Sequence, residues 1–289
     1  MRFTVQAESL DLLREALASR CDGIRFGSEF CEWKLPKLEV LKEAFEWVRK
    51  AEKAFTYVTP LLSDIGVKEL QKHLTYLNDL GGVEVVVGDL GTLNLLRNFS
   101  NLRPRLGRLR VYIPARCPWP QITRMPNPSF LTRRKVEKIF YQTSLNHRRS
   151  LEYYKALGVE GADMDWIPKC FPHFEHIVER GFRLAVHTYA IPVAVSGRCH
   201  TARFLGEKGP AQCTLPCLDR AFIIRQRELE RGFVLHGNVV FSMVQPQQRE
   251  VKELHGMGVD ELVLPMGPVS KLTSAKDVDA SLTALASGV

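Results

Sequence analysis

The chain has 289 residues, 45% of them hydrophobic and 25% charged, an ordinary globular balance long enough to bury a core without disulfides or metal. No apolar leader follows the opening Met-Arg-Phe-Thr-Val-Gln and no run of 18 apolar residues occurs, so the expectation is a cytoplasmic protein with no transmembrane segment. The net charge of +8 suits RNA or an anionic substrate, and equally a solvated face or an acidic partner; seven cysteines in a reducing compartment speak for metal or catalysis rather than disulfides.

Strand and helix alternate from the start. Arg2 to Gln6 is predicted as a strand, and Ser9 caps an amphipathic helix to Ser19 that sets Leu10, Leu13 and Leu17 on one face. Then come a strand over Gly23 to Gly27, a helix from Pro36 to about Lys53, and a strand over Ala54 to Thr59. A helix over Gly66 to Leu80 ends at Gly81-Gly82, and a buried strand follows at Val83 to Gly88. Next are a helix over Asp89 to Asn98 and a strand over Leu106 to Pro114. The second half is predicted as strand Ile139 to Thr143, helix Asn146 to Leu157, strand Val159 to Met164, helix Pro172 to Arg180 and strand Phe182 to His187. Gly232 to Phe241, a helix near Arg249 to Met257 and strand Glu261 to Pro265 complete it. Repeated βα units imply a parallel sheet, and their number suits an α/β fold of TIM-barrel type, a closed (β/α) barrel or an incomplete or distorted one. An open doubly wound sheet is the alternative. No linker divides residues 1–289, but two segments break the rhythm: a proline-rich insertion at 114–135, and an irregular stretch at 188–231.

That second stretch holds Cys199, Cys213 and Cys217, with thirteen residues and then three between them, and Gly206, Gly209 and Pro210 in the wider gap. Three thiolates on one loop suit a soft metal or an iron–sulfur cluster, and a cuboidal cluster needs a fourth ligand from elsewhere. Cys31 is the choice. It follows the strand Gly23–Gly27 on a βα loop, at the C-terminal end of the sheet, where the loop after Phe182–His187 also emerges. Cys117, also after a strand, is the strongest rival. Cys21 belongs at the opposite end, and Cys170 reads, like Cys21, as a small buried apolar residue. Zinc on four thiolates is the alternative metal, although the spacing lacks the paired Cys-x2-Cys of common zinc modules.

The run Val195-Ser-Gly-Arg-Cys-His-Thr-Ala-Arg203, continued by Cys213-Thr-Leu-Pro-Cys217 and by Phe233-Val-Leu-His-Gly-Asn-Val-Val-Phe-Ser-Met243, resembles the collagenase-like (U32) peptidase family, and within it the UbiV-like branch of ubiquinone biosynthesis. Gly23-Ile-Arg-Phe-Gly-Ser-Glu-Phe-Cys31 resembles that branch's motif for the first cluster ligand, with Ser28 standing between the Gly and the Glu. The branch's Gly-His before Leu-Pro is absent; Tyr189-Ala190-Ile191-Pro192 stands there. The resemblance implies a [4Fe-4S] cluster on Cys31, Cys199, Cys213 and Cys217 in a barrel-like fold. It also implies a heterodimer with a homologous UbiU-like subunit, and O2-independent hydroxylation of an aromatic quinone precursor with prephenate as hydroxyl donor. Other members of the family hydroxylate RNA bases, so an RNA-modifying role is a second expectation, and a zinc-stabilised scaffold a third. No protease constellation, His-Glu-x-x-His or Gly-x-Ser-x-Gly, is present.

Around the cysteines, Arg198 and Arg203 read as cations that offset cluster charge or hold an anionic donor, or as salt-bridge partners. His187 reads as a satisfied strand-end histidine, with an acid/base role as the sharper option. Asp163 and Asp165 point to one side of their strand, where they could form an acid/base pair or a cation site; the simpler account is one helix cap and one salt bridge. Phe171, Phe174 and Phe182 read as core, and Trp33 and Trp119 as loop aromatics that line a pocket or merely pack.

Overall fold

The computed structural model describes residues 1–117, 129–207, 212–225 and 232–286. Trp119, Gly209, Pro210 and residues 118–128 of the proline-rich segment lie outside these. The chain runs through β1 (Arg2–Ala7), β2 (Gly23–Gly27), β3 (Ala54–Val58), β4 (Glu84–Val87), β5 (Arg103–Leu106), β6 (Gly161–Asp165) and β7 (Arg183–His187). It then makes an excursion through β8 (Ala190–Val195), β9 (Phe222–Ile224), β10 (Phe233–His236) and β11 (Val239–Met243), and returns as β12 (Glu261–Pro265). The helices are α1 (Leu10–Ala18), α2 (Leu38–Lys50), α3 (Asp64–Leu80), α4 (Leu90–Leu96), α5 (Phe130–Tyr141), α6 (Arg148–Ala156), α7 (Glu175–Val178), α8 (His200–Phe204), α9 (Gln248–Gly256) and α10 (Ala275–Ala286).

Eight strands pair in parallel in the order β1-β12-β7-β6-β5-β4-β3-β2, and β1 pairs with β2 to close the ring. This is a closed (β/α)8 barrel. Local chemistry sets its helices. Ser9 Oγ accepts from Leu12 N at the start of α1, whose Leu13 and Ala16 are buried, and the Asp89 carboxylate accepts from Thr92 N at the start of α4. The strands β4 and β6 are buried on both faces, as a barrel wall under helices requires. Gly27 ends β2 at φ +123°, and a Cβ there would stand 2.1 Å from the Val58 carbonyl oxygen, so only glycine allows β2 and β3 to meet.

The interior departs from the usual aliphatic filling. Arg25 on β2 gives two hydrogen bonds to Asp163 on β6, at 2.6 and 3.2 Å, and one from Nε to Glu261 on β12 at 2.8 Å. Arg105 on β5 donates to Glu84 on β4 at 2.8 Å, and Glu84 also accepts from Arg183 at 2.7 Å. Arg25, Arg105 and Asp163 are fully buried.

Several predicted elements shift. The strand expected at Leu106 to Pro114 is Arg103–Leu106, followed by 3-10 turns at Arg108–Arg110 and Pro114–Arg116; its inward Arg105 is paired, so the charge does not exclude a barrel strand. Ile139 to Thr143 is not a strand: it falls at the end of α5, where Ile139 is 65% exposed on a helix capped by Ser129. Pro36 precedes its helix rather than opening it, and Pro172 lies in a 3-10 segment, Pro168–His173. The span Gly232 to Phe241 is no barrel strand: it supplies the β10–β11 hairpin of a four-stranded sheet, order β8-β11-β10-β9, antiparallel throughout. The stretch 188–231, read as irregular, supplies β8, α8 and β9. Among the described residues no helix is long and apolar enough to cross a membrane.

Candidate metal centre at the barrel mouth

Cys31 follows β2 by way of Ser28, Glu29 and Phe30, all buried, and opens a 3-10 turn, Glu32–Lys34. Cys199 is the residue before α8, and its Sγ accepts from the Ala202 backbone N–H at 3.3 Å. Cys213 and Cys217 lie between α8 and β9, and Cys217 is buried. Cys217 and Cys199 lie near enough to Cys31, and Cys199 and Cys213 near enough to Cys217, to act on it electrostatically. Burial pushes Cys31 up to about 11; a hydrogen bond from the Trp33 backbone N–H and the charge of Lys34 oppose this, and Cys217 and Cys199 add to it. Burial also raises Cys217, Lys34 opposes it, and Glu8, Cys199 and Cys213 reinforce it. Loops 168 positions apart in sequence thus converge on the C-terminal side of the barrel. The other cysteines lie in other segments. Cys21 precedes β2 with its Sγ 3.4 Å from the Ala16 carbonyl oxygen, Cys170 is buried in the Pro168–His173 segment with its thiol pushed up to about 12 by burial, and Cys117 follows the Pro114–Arg116 turn.

The donor set fits a cluster. Two of the four sulfurs accept backbone N–H bonds, and Lys34 supplies a buried cation. Four thiolates on one tetrahedral zinc stand about 3.8 Å apart. Among the described residues only Glu29, Asp163 and His187 bring three ligand atoms within 4.8 Å of one another, so no three of the sulfurs are that close. That carboxylate–histidine trio is an ion-pair knot rather than a cation seat. Arg25 takes both oxygens of Asp163 and Arg108 takes Glu29, leaving His187 to donate from Nε2 to Asp163 at 2.9 Å. Burial, then the charge of Arg108, lowers the His187 pKa and keeps the ring neutral.

Arg108 joins the barrel to the cysteine lobe. It pairs with Glu29 and Asp165, donates to the Ala190 carbonyl at 2.9 Å and lies over the Phe30 ring at 5.4 Å. Asp163 and Asp165 both face inward as expected, yet neither caps a helix; Asp165 also accepts from Arg116. Phe171, Phe174 and Phe182 are core. Arg198 and Arg203 are exposed and carry no ion pair among the described residues. Trp33 is partly exposed beside Cys31. Sequence reasoning missed Glu8, Lys34, His236 and Asn238. Buried Lys34 pairs with the half-buried Glu8 beside Cys217, and His236 donates from Nε2 to the Cys217 carbonyl at 2.6 Å. A pocket of about 600 Å3, counting its open mouth, adjoins this site, with Phe30, Phe241, Met266 and Leu218 as apolar walls and Gln6 and Arg108 among its polar groups. The Gln6 amide oxygen is buried without a hydrogen-bond partner.

No family model and no curated protein matches the chain. Solved structures with similar outlines include a U32 peptidase (17% identity, 93% of each chain covered, TM-score 0.47) and thiamine phosphate pyrophosphorylase from Pyrococcus furiosus (9%, 99% of this chain and 96% of that chain, 0.46). Dihydropteroate synthase from Thermus thermophilus is another (14%, 98% and 93%, 0.40). At these scores the likeness carries no functional argument, and the barrel assignment stands on the strand order.

Proposed function

We propose that this protein is an iron–sulfur protein, a UbiV-like subunit of an O2-independent system that hydroxylates an aromatic ubiquinone precursor, working with a UbiU-like partner and with prephenate as hydroxyl donor. The single observation that carries the cluster reading is the convergence of Cys31, Cys199, Cys213 and Cys217 from separate loops onto one side of the barrel. The finer reading, with its partner, substrate and donor, rests on the motif resemblance around Cys199 and Cys217. A bound [4Fe-4S] cluster supplies one-electron transfer. The chain's own residues do the rest: they hold the cluster, exclude water from Cys217 and place an apolar pocket alongside. A pocket with aromatic and aliphatic walls and one unpaired acceptor suits a ring with a polar substituent.

The test is anaerobic purification, with iron, sulfide and zinc analysis and visible absorbance, for the wild type and for each of Cys31→Ala, Cys199→Ala, Cys213→Ala and Cys217→Ala. A brown protein with about four irons, bleached by every one of the four substitutions, supports the reading. A colourless protein with one zinc removes it and leaves the zinc scaffold. Deletion that removes a modified RNA base, with quinone levels unchanged, would replace it with the RNA-modifying role.

A further inference from the structure

The β10–β11 hairpin turns at Gly237-Asn238, with His236 and Val239 as the last pair of the ladder and glycine at the left-handed first position. Three consecutive residues of this turn reach every segment that carries a cysteine of the site. His236 donates from Nε2 to the carbonyl of Cys217 at 2.6 Å. The Gly237 carbonyl accepts from Thr201 N at 3.1 Å, two residues beyond Cys199. The Asn238 amide donates from Nδ2 to the Phe30 carbonyl at 2.9 Å, next to Cys31, and to the Ser196 carbonyl at 3.0 Å, just before Cys199. The Asn238 carbonyl also accepts from Ser196 N at 2.9 Å. A hairpin asparagine ordinarily bonds within its own turn. This one spans 208 positions to Phe30.

We propose that the His236–Gly237–Asn238 turn is the template of the cysteine site, with Asn238 as the positioning residue that locks the Cys31 loop to the Cys199 loop. The proposal rests on reading the four cysteines as one ligand set. Its physical basis is entropy. Three separate loops that ordered only when metal arrived would charge their ordering to the binding step. Backbone carbonyls tied to one rigid turn are ordered beforehand. Asn238 suits the task because one amide NH2 carries two donors, so one side chain holds two carbonyls from different loops. Gly237 completes the template, since it supplies the left-handed φ of the turn.

The experiment compares the full chain with Asn238→Ala and with Asn238→Asp, which keeps the shape and removes both donors. Three quantities are read: the rate of cluster loss under an iron chelator, followed by visible absorbance and electron paramagnetic resonance; the affinity of the metal-free protein for Cd2+, followed by its thiolate charge-transfer band; and the melting temperature of the metal-free protein. Both variants are expected to lose cluster and to bind Cd2+ about tenfold less well, with the metal-free melting temperature unchanged. Lifetimes and affinities equal to wild type would overturn the proposal, as would a loss matched by a fall in metal-free melting temperature, which makes Asn238 a general structural residue. If the wild type takes up no iron and sulfide yet the variants still bind Cd2+ about tenfold more weakly, the cluster reading falls and the template stands.

Discussion

Replacing Glu261 with Gln removes one negative charge from the barrel interior and keeps the shape. The Glu261 carboxylate accepts from Arg25 Nε at 2.8 Å and Thr4 Oγ1 at 2.7 Å, with Arg105 at 3.6 Å. Burial alone would raise its pKa, but Arg25 and Arg105 overcome this and hold it at about 2 rather than 4.5. At about 1.4 kcal/mol per pH unit, that displacement corresponds to roughly 3 kcal/mol of stability at neutral pH, in line with the roughly 3–5 kcal/mol expected when one partner of a buried pair is removed. The folded-state pKa is depressed, so the contribution is whole above about pH 4.5 and fades as the pH falls through 2, with about half left at pH 3. Urea unfolding of wild type and Glu261→Gln between pH 2 and 7 checks this. A stability gap of about 3 kcal/mol at pH 7 that closes toward pH 2 is expected. A gap equally large at both ends would mean that packing rather than charge holds Glu261, and a gap below about 1 kcal/mol at pH 7 would refute the ion-pair reasoning.

Other substitutions separate backbone, ionic and hydrogen-bond contributions. Gly27→Ala drives a Cβ to 2.1 Å from the Val58 carbonyl oxygen at φ +123°, so a loss above about 4 kcal/mol and no cooperative melt by circular dichroism are expected; a melt near wild type would show that β2 and β3 can part. Arg108→Met leaves Glu29 and the Ala190 carbonyl without their guanidinium and should cost about 3–5 kcal/mol, with faster amide exchange over residues 28–31 as the local sign. Tyr57→Phe removes the hydroxyl that donates to His73 Nδ1 at 2.7 Å in a buried pair, and should cost about 1–2 kcal/mol by urea unfolding.

What was legible in the sequence follows from which signals are local. The βα rhythm is local, and Gly23–Gly27 and Glu261–Pro265 stand where apolar patterning puts them. The placement of Cys31 was legible because parallel strands send their loops to one face, so two loops far apart in sequence share an end of the barrel. The strand Arg103–Leu106 was not legible. Its two arginines do not look like barrel interior, and the carboxylates that make such charge tolerable in a core sit on other strands, Glu84 twenty-one positions from Arg105. A salt bridge was expected in the Asp163–Asp165 pair and Asp163 makes one, but its partner was not legible, since Arg25 is 138 positions away. Ile139-Phe140-Tyr141 looked like a strand because three large apolar residues in a row carry no period. The role of Asn238 had no signal beyond a turn dipeptide, because its partners at Phe30 and Ser196 are fixed by tertiary structure.

The placement of charge separates two jobs within one chain. The paired ions of the barrel and its mouth balance: buried Arg25, Arg105 and Arg108, with the less buried Arg116 and Arg183, face Asp163, Asp165, Glu29, Glu84 and Glu261. Each of these cations is already committed to a carboxylate, so the barrel axis offers no unspent positive charge to a ligand, and the network specifies strand packing instead. The net excess of +8 must therefore lie outside it. On the cysteine lobe Arg198, Arg203, Arg220 and Arg225 are all exposed, and no ion pair holds them among the described residues. An anionic molecule at that surface meets exposed arginines. Its attraction is consequently a surface effect, weakened by salt within a Debye length of about 8 Å at physiological ionic strength, whereas the pairing of Arg108 that carries the Phe30 loop is buried and far less screened.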